Sequence, residues 1–313
     1  MGRVAVPRHF LLPKDPDYPP RLQGMDPPPD LEVSGALEHL GRRTIAIVGT
    51  RVATADALAF ASDLAGRLVR AGVVVVSGGA LGIDAAAHEG ALAAGGPTWV
   101  VAPTGSQHIY PKDHVDLFGR VEQAPQGRMI WPFDPDKEVT LAGFHQRNAV
   151  IAALADALVV VQAGAESGAL SAAASARRYG RPVFAVAAPP WAETGFEGGN
   201  GLLLRGEATL LLGGELGLGQ LLGTGAGVGI QKSSTKRKPK GRSLPLPGLG
   251  PQEPTKPIHP LLSVIGDTPK HAEQIAQSAG IPLSRTLSEL LTLSLGDVVV
   301  EAPPGFFRRT NNS

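Results

Sequence analysis

The sequence predicts an α/β protein in which a parallel sheet carries helices on both faces and a smaller C-terminal module follows. Two observations lead to it. Short apolar runs alternate with alanine-rich helical stretches from Thr44 onward. These runs are continuously apolar, as strands covered on both faces are, and do not alternate in and out.

The elements follow in order. Residues 1–43 are proline-rich, with Tyr18-Pro19-Pro20-Arg21-Leu22 and Pro27-Pro28-Pro29, and read as an extended lead-in with little regular structure. Residues 44–212 carry the alternation. Thr44–Val48 precedes a helix near Thr54–Ala71, stopped by Gly72. Val73–Val76 precedes a helix over Ile83–Ala94, and Thr98–Ala102 leads to one near Asp113–Gln123. Arg128–Trp131 leads through a long loop to a helix over Gln146–Ala155. Leu158–Gln162 precedes Ala169–Tyr179, and Val183–Ala187 precedes a last helical stretch near Gly201–Leu212. Right-handed crossovers place every strand-to-helix loop at one edge of such a Rossmann-like sheet of about six strands.

Residues 213–257 are poor in apolar periodicity and read as a flexible linker, with the cations Lys232, Lys236, Arg237, Lys238 and Lys240. They form either a solubilising tether or a loose contact with nucleic acid. Residues 258–313 read as a winged-helix-like domain. Its helices lie at Pro260–Ile265, Lys270–Ser278 and Leu283–Leu295, and its hairpin joins Asp297–Glu301 to Phe306–Arg309. The third helix offers only Arg285 as a cation, beside Glu289, so contact with another protein, or packing on the main domain, is at least as good a reading as a DNA groove.

Composition sets the bounds. The 313 residues include no cysteine, which excludes disulfides and thiolate chemistry. No apolar run is long enough to span a bilayer and no signal-peptide pattern opens the chain, so the expectation is a soluble cytoplasmic protein. Residues 1–230 hold 18 basic and 22 acidic side chains, whereas residues 231–257 hold 7 and 1. The positive excess sits in the linker, unlike a domain that grips duplex DNA through a broad basic face.

The loops point to phosphate. Two strands run into glycine turns that open helices, Ser77-Gly78-Gly79-Ala80-Leu81-Gly82 and Ala163-Gly164-Ala165-Glu166-Ser167-Gly168. Backbone N–H groups at a helix N-terminus attract phosphate oxygens. A third strand ends in Gly49-Thr50-Arg51 and places a guanidinium at the same edge. The absent motifs narrow the chemistry. One glycine after the first strand is no dinucleotide fingerprint, and there is no P-loop, no HExxH and no G-x-S-x-G. Asp84 and His88 are spaced to pair on one helix; the alternative has Asp84 brace the turn and His88 bond locally. Without a catalytic constellation, cofactor or metal motif, binding is favoured over catalysis.

Ser77-Gly78-Gly79-Ala80-Leu81-Gly82-Ile83-Asp84-Ala85-Ala86-Ala87-His88 is similar to the signature of the DNA-processing protein A (DprA, or Smf) family. Gly49-Thr50-Arg51, Tyr110-Pro111, Phe144-His145-Gln146-Arg147-Asn148, Ser167-Gly168-Ala169-Leu170 and Gly198-Gly199-Asn200 resemble further family segments in the same order. The resemblance covers residues 15–212, and the tail looks like the family's winged helix. It implies a homodimer that binds and protects single-stranded DNA and loads the RecA recombinase during natural transformation. The implied DNA-binding residues are Arg51, Ser77, Gly78, Gly79, Gly82, Phe144, Arg147, Asn148, Ser167 and Gly168. Arg51 and Arg147 would clamp phosphates and Phe144 would stack a base. Structural alternatives stand beside these roles, with Phe144 as core and Arg51 as a brace between loops.

The chain departs from the family in three places. Ala149 stands where a second arginine is usual, Glu166 replaces a basic residue, and 43 residues are too few for the helical domain that precedes the sheet in many members. Weaker DNA binding, or reliance on the linker cations, is expected. A Rossmann-fold nucleotide sensor or nucleoside phosphate hydrolase is the competing expectation, and an interaction hub without ligand is a third. The hydrolases resemble Pro-Gly-Gly-x-Gly-Thr-x-x-Glu, which Ala163–Gly168 does not reproduce.

Overall fold

The computed structural model describes residues 6–35, 37, 40, 42–189, 192, 194–223, 260–282, 286, 289, 290, 293, 298–301 and 306–310. They fall into two compact units divided between Lys232 and Ser233.

The first unit is a mixed α/β structure built on a nine-stranded sheet. Its strands are β1 (Arg8–Leu11), β2 (Leu31–Ser34), β3 (Thr44–Val48), β4 (Val74–Ser77), β5 (Thr98–Val101), β6 (Arg128–Trp131), β7 (Ala157–Val160), β8 (Val183–Ala185) and β9 (Thr209–Leu210). The order is β1-β2-β6-β5-β4-β3-β7-β8-β9, parallel from β6 to β9. The helices are α1 (Ala55–Arg70), α2 (Ile83–Ala93), α3 (Val115–Gln123), α4 (Leu141–Leu154), α5 (Ala169–Arg178), α6 (Glu197–Leu204) and α7 (Gly214–Leu222).

The strands are apolar throughout because both faces are covered. Ala46, Val48, Val74, Val76, Leu158 and Val160 join the core beneath α4 and α5. Their neighbours Ile45, Ile47, Val73, Val75, Ala157 and Val159 join the core beneath α1 and α2. The chain steps outward from β3 to β6, and α4 then returns it to β7 on the other side of β3. The switch point lies between β3 and β7, and the loops that follow these strands open there.

The lead-in differs from its sequence reading. It forms β1 and β2; β2 runs antiparallel to β6 through the pairs Glu32–Trp131 and Val33–Ile130, and β1 pairs antiparallel with β2. Tyr18, Leu22, Leu31 and Val33 are buried in the core, and the Tyr18 hydroxyl donates to the Pro29 carbonyl at 2.7 Å. The prolines lie in the connection, where no ladder hydrogen bond is needed. The stretch read as one helix over Gly201–Leu212 is the end of α6, the edge strand β9 and the lead to α7. Helix α4 begins at Leu141, five residues before its expected start, because the Thr140 side chain caps it by accepting from Gly143 N–H at 3.0 Å.

In the second unit, β10 (Lys270–His271), β11 (Val299–Glu301) and β12 (Phe306–Arg309) form a sheet of order β10-β12-β11, and α8 (Ala272–Ala279) follows β10. Leu261, Ile265, Ile275, Leu290, Val299 and Phe307 fill its core. The helix expected from Lys270 starts at Ala272, since Lys270 and His271 pair with Phe307 and Phe306. Most of the expected helix over Leu283–Leu295, Arg285 included, lies outside the described residues. So do the linker cations Lys232, Lys236, Arg237, Lys238 and Lys240.

Candidate functional site

The loops after β3, β4 and β7 interlock through their backbones. Thr50 N–H donates to the Gln162 carbonyl at 2.8 Å, and Ile83 N–H donates to the Thr50 carbonyl at 3.2 Å. Thr54 N–H donates to Gln162 Oε1 at 2.9 Å. Gly82 has φ +78°, and a Cβ there would meet the Thr50 carbonyl at 2.4 Å. This fixes the loop from which the Arg51 side chain projects, exposed to solvent.

Phe144 lies in the first turn of α4, half-buried at the same edge. The Arg51 guanidinium carbon is 5.1 Å from its ring centroid and the Arg147 guanidinium carbon is 5.8 Å away. The Tyr110 ring meets it edge-on, with centroids 5.4 Å apart and planes at 68°. Two aromatic rings and an exposed guanidinium thus share one patch. Exposed apolar side chains flank it in sequence: Val52 beside Arg51, Ile109 beside Tyr110, and Leu141 one helical turn before Phe144. The Tyr110 contact and these apolar neighbours were not singled out from the sequence. The i, i+3 spacing of Leu141 and Phe144 signals a shared face only once the helix start is known.

Arg147 does not join Arg51 at the surface. It is buried, with Nη1 donating to the carbonyls of Gly78 and Val101. The expectation that both guanidiniums face phosphate is therefore corrected: Arg147 is turned inward, and of the two Arg51 is the exposed one. Burial lowers the Arg147 pKa; the Asp84 charge opposes that shift and the Arg51 charge adds to it.

The first glycine turn also departs from expectation. Asp84 is buried, and its Oδ2 accepts from Gly78 N–H at 3.1 Å and from Ala80 N–H at 3.4 Å. Burial raises its pKa, against the Arg147 charge and the two N–H groups. Ser77 Oγ donates to the Ile47 carbonyl at 2.6 Å. A Cβ on Gly78 would lie 1.6 Å from Arg147 Nη1, and one on Gly79 would lie 2.7 Å from the Phe118 ring. Ser77, Gly78 and Gly79 are thus buried parts of an internal carboxylate nest. Asp84 braces the turn, as one sequence reading has it, and does not pair with His88.

His88 is fully buried, with Nδ1 2.7 Å from Thr98 Oγ1. Thr98 Oγ1 donates to the Val75 carbonyl, so the shared proton belongs to His88 Nδ1. Its Nε2 then faces the interior as an acceptor without a partner. Burial, helped by the His114 and Arg147 charges, holds the His88 pKa down to about 3.

At the second turn, Asn148 Nδ2 donates to the Gly168 carbonyl at 3.1 Å and to Ser171 Oγ at 2.7 Å, tying α4 to α5. Ser167 Oγ accepts from Ala169 N–H at 3.3 Å. Ala165, Glu166 and Gly168 face solvent. Gly198 and Gly199 donate to the Ala163 carbonyl from behind, and a Cβ on Gly198 would lie 2.4 Å from the Gly164 carbonyl. Among the described residues, no group of three His, Asp or Glu could hold a metal ion, and no helix is long and apolar enough to cross a membrane.

Comparison with known proteins agrees with this architecture. The family described as DNA recombination-mediator protein A matches residues 9–217. A putative DNA processing protein DprA from Mycobacterium tuberculosis is 44% identical over 153 residues, which are 49% of this chain and 39% of that protein. Protein Smf from Escherichia coli is 30% identical over 308 residues, 97% of this chain and 79% of that protein. The chain thus spans less than half the length of the first of these relatives and most of the second. DNA processing protein A from Helicobacter pylori, whose structure is described for its single-stranded DNA binding mode, superposes with a TM-score of 0.62 at 28% identity. That match covers 69% of this chain and 96% of the other. DprA from Streptococcus pneumoniae gives 0.61 at 30% identity, over 67% and 72% of the two chains. With its matched region spanning the whole sheet and the Arg51–Phe144 patch, this chain belongs to the DNA recombination-mediator protein A family.

Proposed function

We propose that this chain is a single-stranded DNA-binding recombination mediator that protects the strand and loads the RecA recombinase onto it. In this reading it works as a cytoplasmic homodimer, binds without catalysis, and uses its second unit as a winged-helix-like module. One observation carries the reading: exposed Arg51 and half-buried Phe144, with Tyr110 edge-on, form one patch at the sheet's switch point. The splayed bases of a single strand are free to stack on an aromatic ring, and each stacked base contributes about 1–3 kcal/mol. The guanidinium beside the ring takes the phosphate. With Arg147 turned inward, one guanidinium, that of Arg51, meets the strand beside the ring, so at this patch stacking supplies a larger share of the affinity than charge does.

Titration of labelled oligo-dT, duplex DNA and a nucleotide panel across salt tests this. Oligo-dT binding that disappears in Arg51→Ala/Phe144→Ala, with duplex bound weakly, is the expected result. Nucleotide binding without oligo-dT binding would replace it by the nucleotide-sensor reading. RecA loading is read from strand exchange on coated single strands with and without the protein.

A further inference from the structure

At the opposite edge of the same sheet, where β8 and β9 begin, a cleft of about 400 Å³ is lined by Arg177, Arg181, Pro182, Val183, Glu207 and Thr209. Arg177 Nη1 and Arg205 Nη2 both reach Glu207 Oε2, each at 3.0 Å, and both arginines remain about half exposed. Arg181 Nη2 donates to the Ala153 carbonyl at 3.3 Å, while its Nε has no partner. Arg178, next along α5, faces solvent. Two guanidiniums thus meet on one carboxylate and a third, Arg181, lines the same cleft, in a stretch of chain where acidic residues outnumber basic ones overall. The helix dipole favours Arg177 and Arg178 at the end of α5 and Arg205 at the end of α6, but Arg181 lies beyond α5.

We infer that this cleft is a second phosphate-binding site, taking the sugar–phosphate backbone of the strand held at Arg51 and Phe144. The inference rests on the single-strand reading and extends it. Helix α5 joins the two places. It starts at the Ser167-Gly168 turn, which is held by Asn148 one turn along α4 from Phe144, and ends at Arg177-Arg178. Its 10 residues span about 15 Å. A stacked strand rises about 3.4 Å per nucleotide, so about five nucleotides cover that distance. The cleft has no aromatic lining, which suits backbone contact without base contact. Glu207 competes with phosphate for Arg177 and Arg205.

The test uses the full chain, fluorescence anisotropy across salt, and oligo-dT of about 4 and about 25 nucleotides, lengths below and above the span. Arg177→Gln/Arg181→Gln/Arg205→Gln is expected to bind the short oligomer as wild type does. It should bind the long one several-fold more weakly, with a salt slope lower by about 2. Glu207→Gln frees two guanidiniums and is expected to bind the long oligomer more tightly, a gain that misfolding cannot imitate. A triple variant with wild-type affinity and slope for the long oligomer overturns the inference. So does a cleft whose loss affects only a poly-glutamate peptide. If wild type binds neither oligomer, the single-strand reading itself fails.

Discussion

Asp84 Oδ2 accepts from the backbone N–H of Gly78 at 3.1 Å, so the anion-binding turn after β4 is filled by a carboxylate of this chain. The turn has the geometry for phosphate, but its ligand is internal, and Arg147 lies beside it with Nη1 on the Gly78 carbonyl. Of the two arginines at this edge, the one that reaches solvent is Arg51.

Removing the carboxylate should therefore affect stability. Asp84→Ala leaves the Gly78 and Ala80 N–H groups without their acceptor and removes the charge that opposes the buried Arg147 guanidinium. A loss of about 3 kcal/mol is expected, read from the urea midpoint at constant slope. Wild-type stability in this variant would show that the nest is filled by something else.

The two arginines should separate cleanly. Arg51→Gln is expected to leave the melting temperature unchanged and to lower the salt slope of oligo-dT binding by about 0.7, one phosphate contact. Arg147→Gln, by contrast, is expected to destabilise by about 3 kcal/mol, because it breaks a buried charged network. Equal effects of the two on the salt slope would return Arg147 to the DNA surface.

Phe144→Ala should weaken oligo-dT binding by about 1–3 kcal/mol with little change in salt slope, and Phe144→Trp should restore it. A slope change would mean that the ring acts by placing Arg51 and not by stacking.

Gly82→Ala places a Cβ at φ +78°, with the Thr50 carbonyl at 2.4 Å. The β3 loop must move. A loss of about 2 kcal/mol, together with weaker oligo-dT binding through displaced Arg51, is expected in melting and titration.

His88 gives an acid limb to stability. Its pKa is lowered from 6.5 to about 3 on folding, so between those values the unfolded chain binds the extra proton. Its contribution is complete above pH 6.5 and lost as pH falls toward 3. Asp84, with a raised pKa, works in the opposite sense above its ordinary value of 3.8. The difference between wild type and His88→Leu isolates the histidine: the variant's deficit in melting temperature should shrink as pH is lowered from 7 to 4. A gap that does not change with pH would exclude it.

The fold was legible where burial imposes a strong pattern. The runs Thr44–Val48 and Arg128–Trp131 are strands residue for residue, since both of their faces meet helices. Strands β1, β2 and β9 were missed because they are short, lie at or near the sheet's margins, and depend on neighbours distant in sequence. The start of α4 was missed because Leu141 is exposed, so the apolar period begins after the helix does.

The sequence by itself determined the parallel sheet, the edge at which its loops gather, and the residue types those loops bring. Whether a given N–H or guanidinium faces water or the interior was decided only by the tertiary structure. Glycine turns donate equally well to a phosphate and to a carboxylate, and Asp84 reaches Gly78 and Ala80 only because α2 folds back over β4. The same closure buries Arg147 and leaves Arg51 exposed, although both lie in segments that resemble the family equally well.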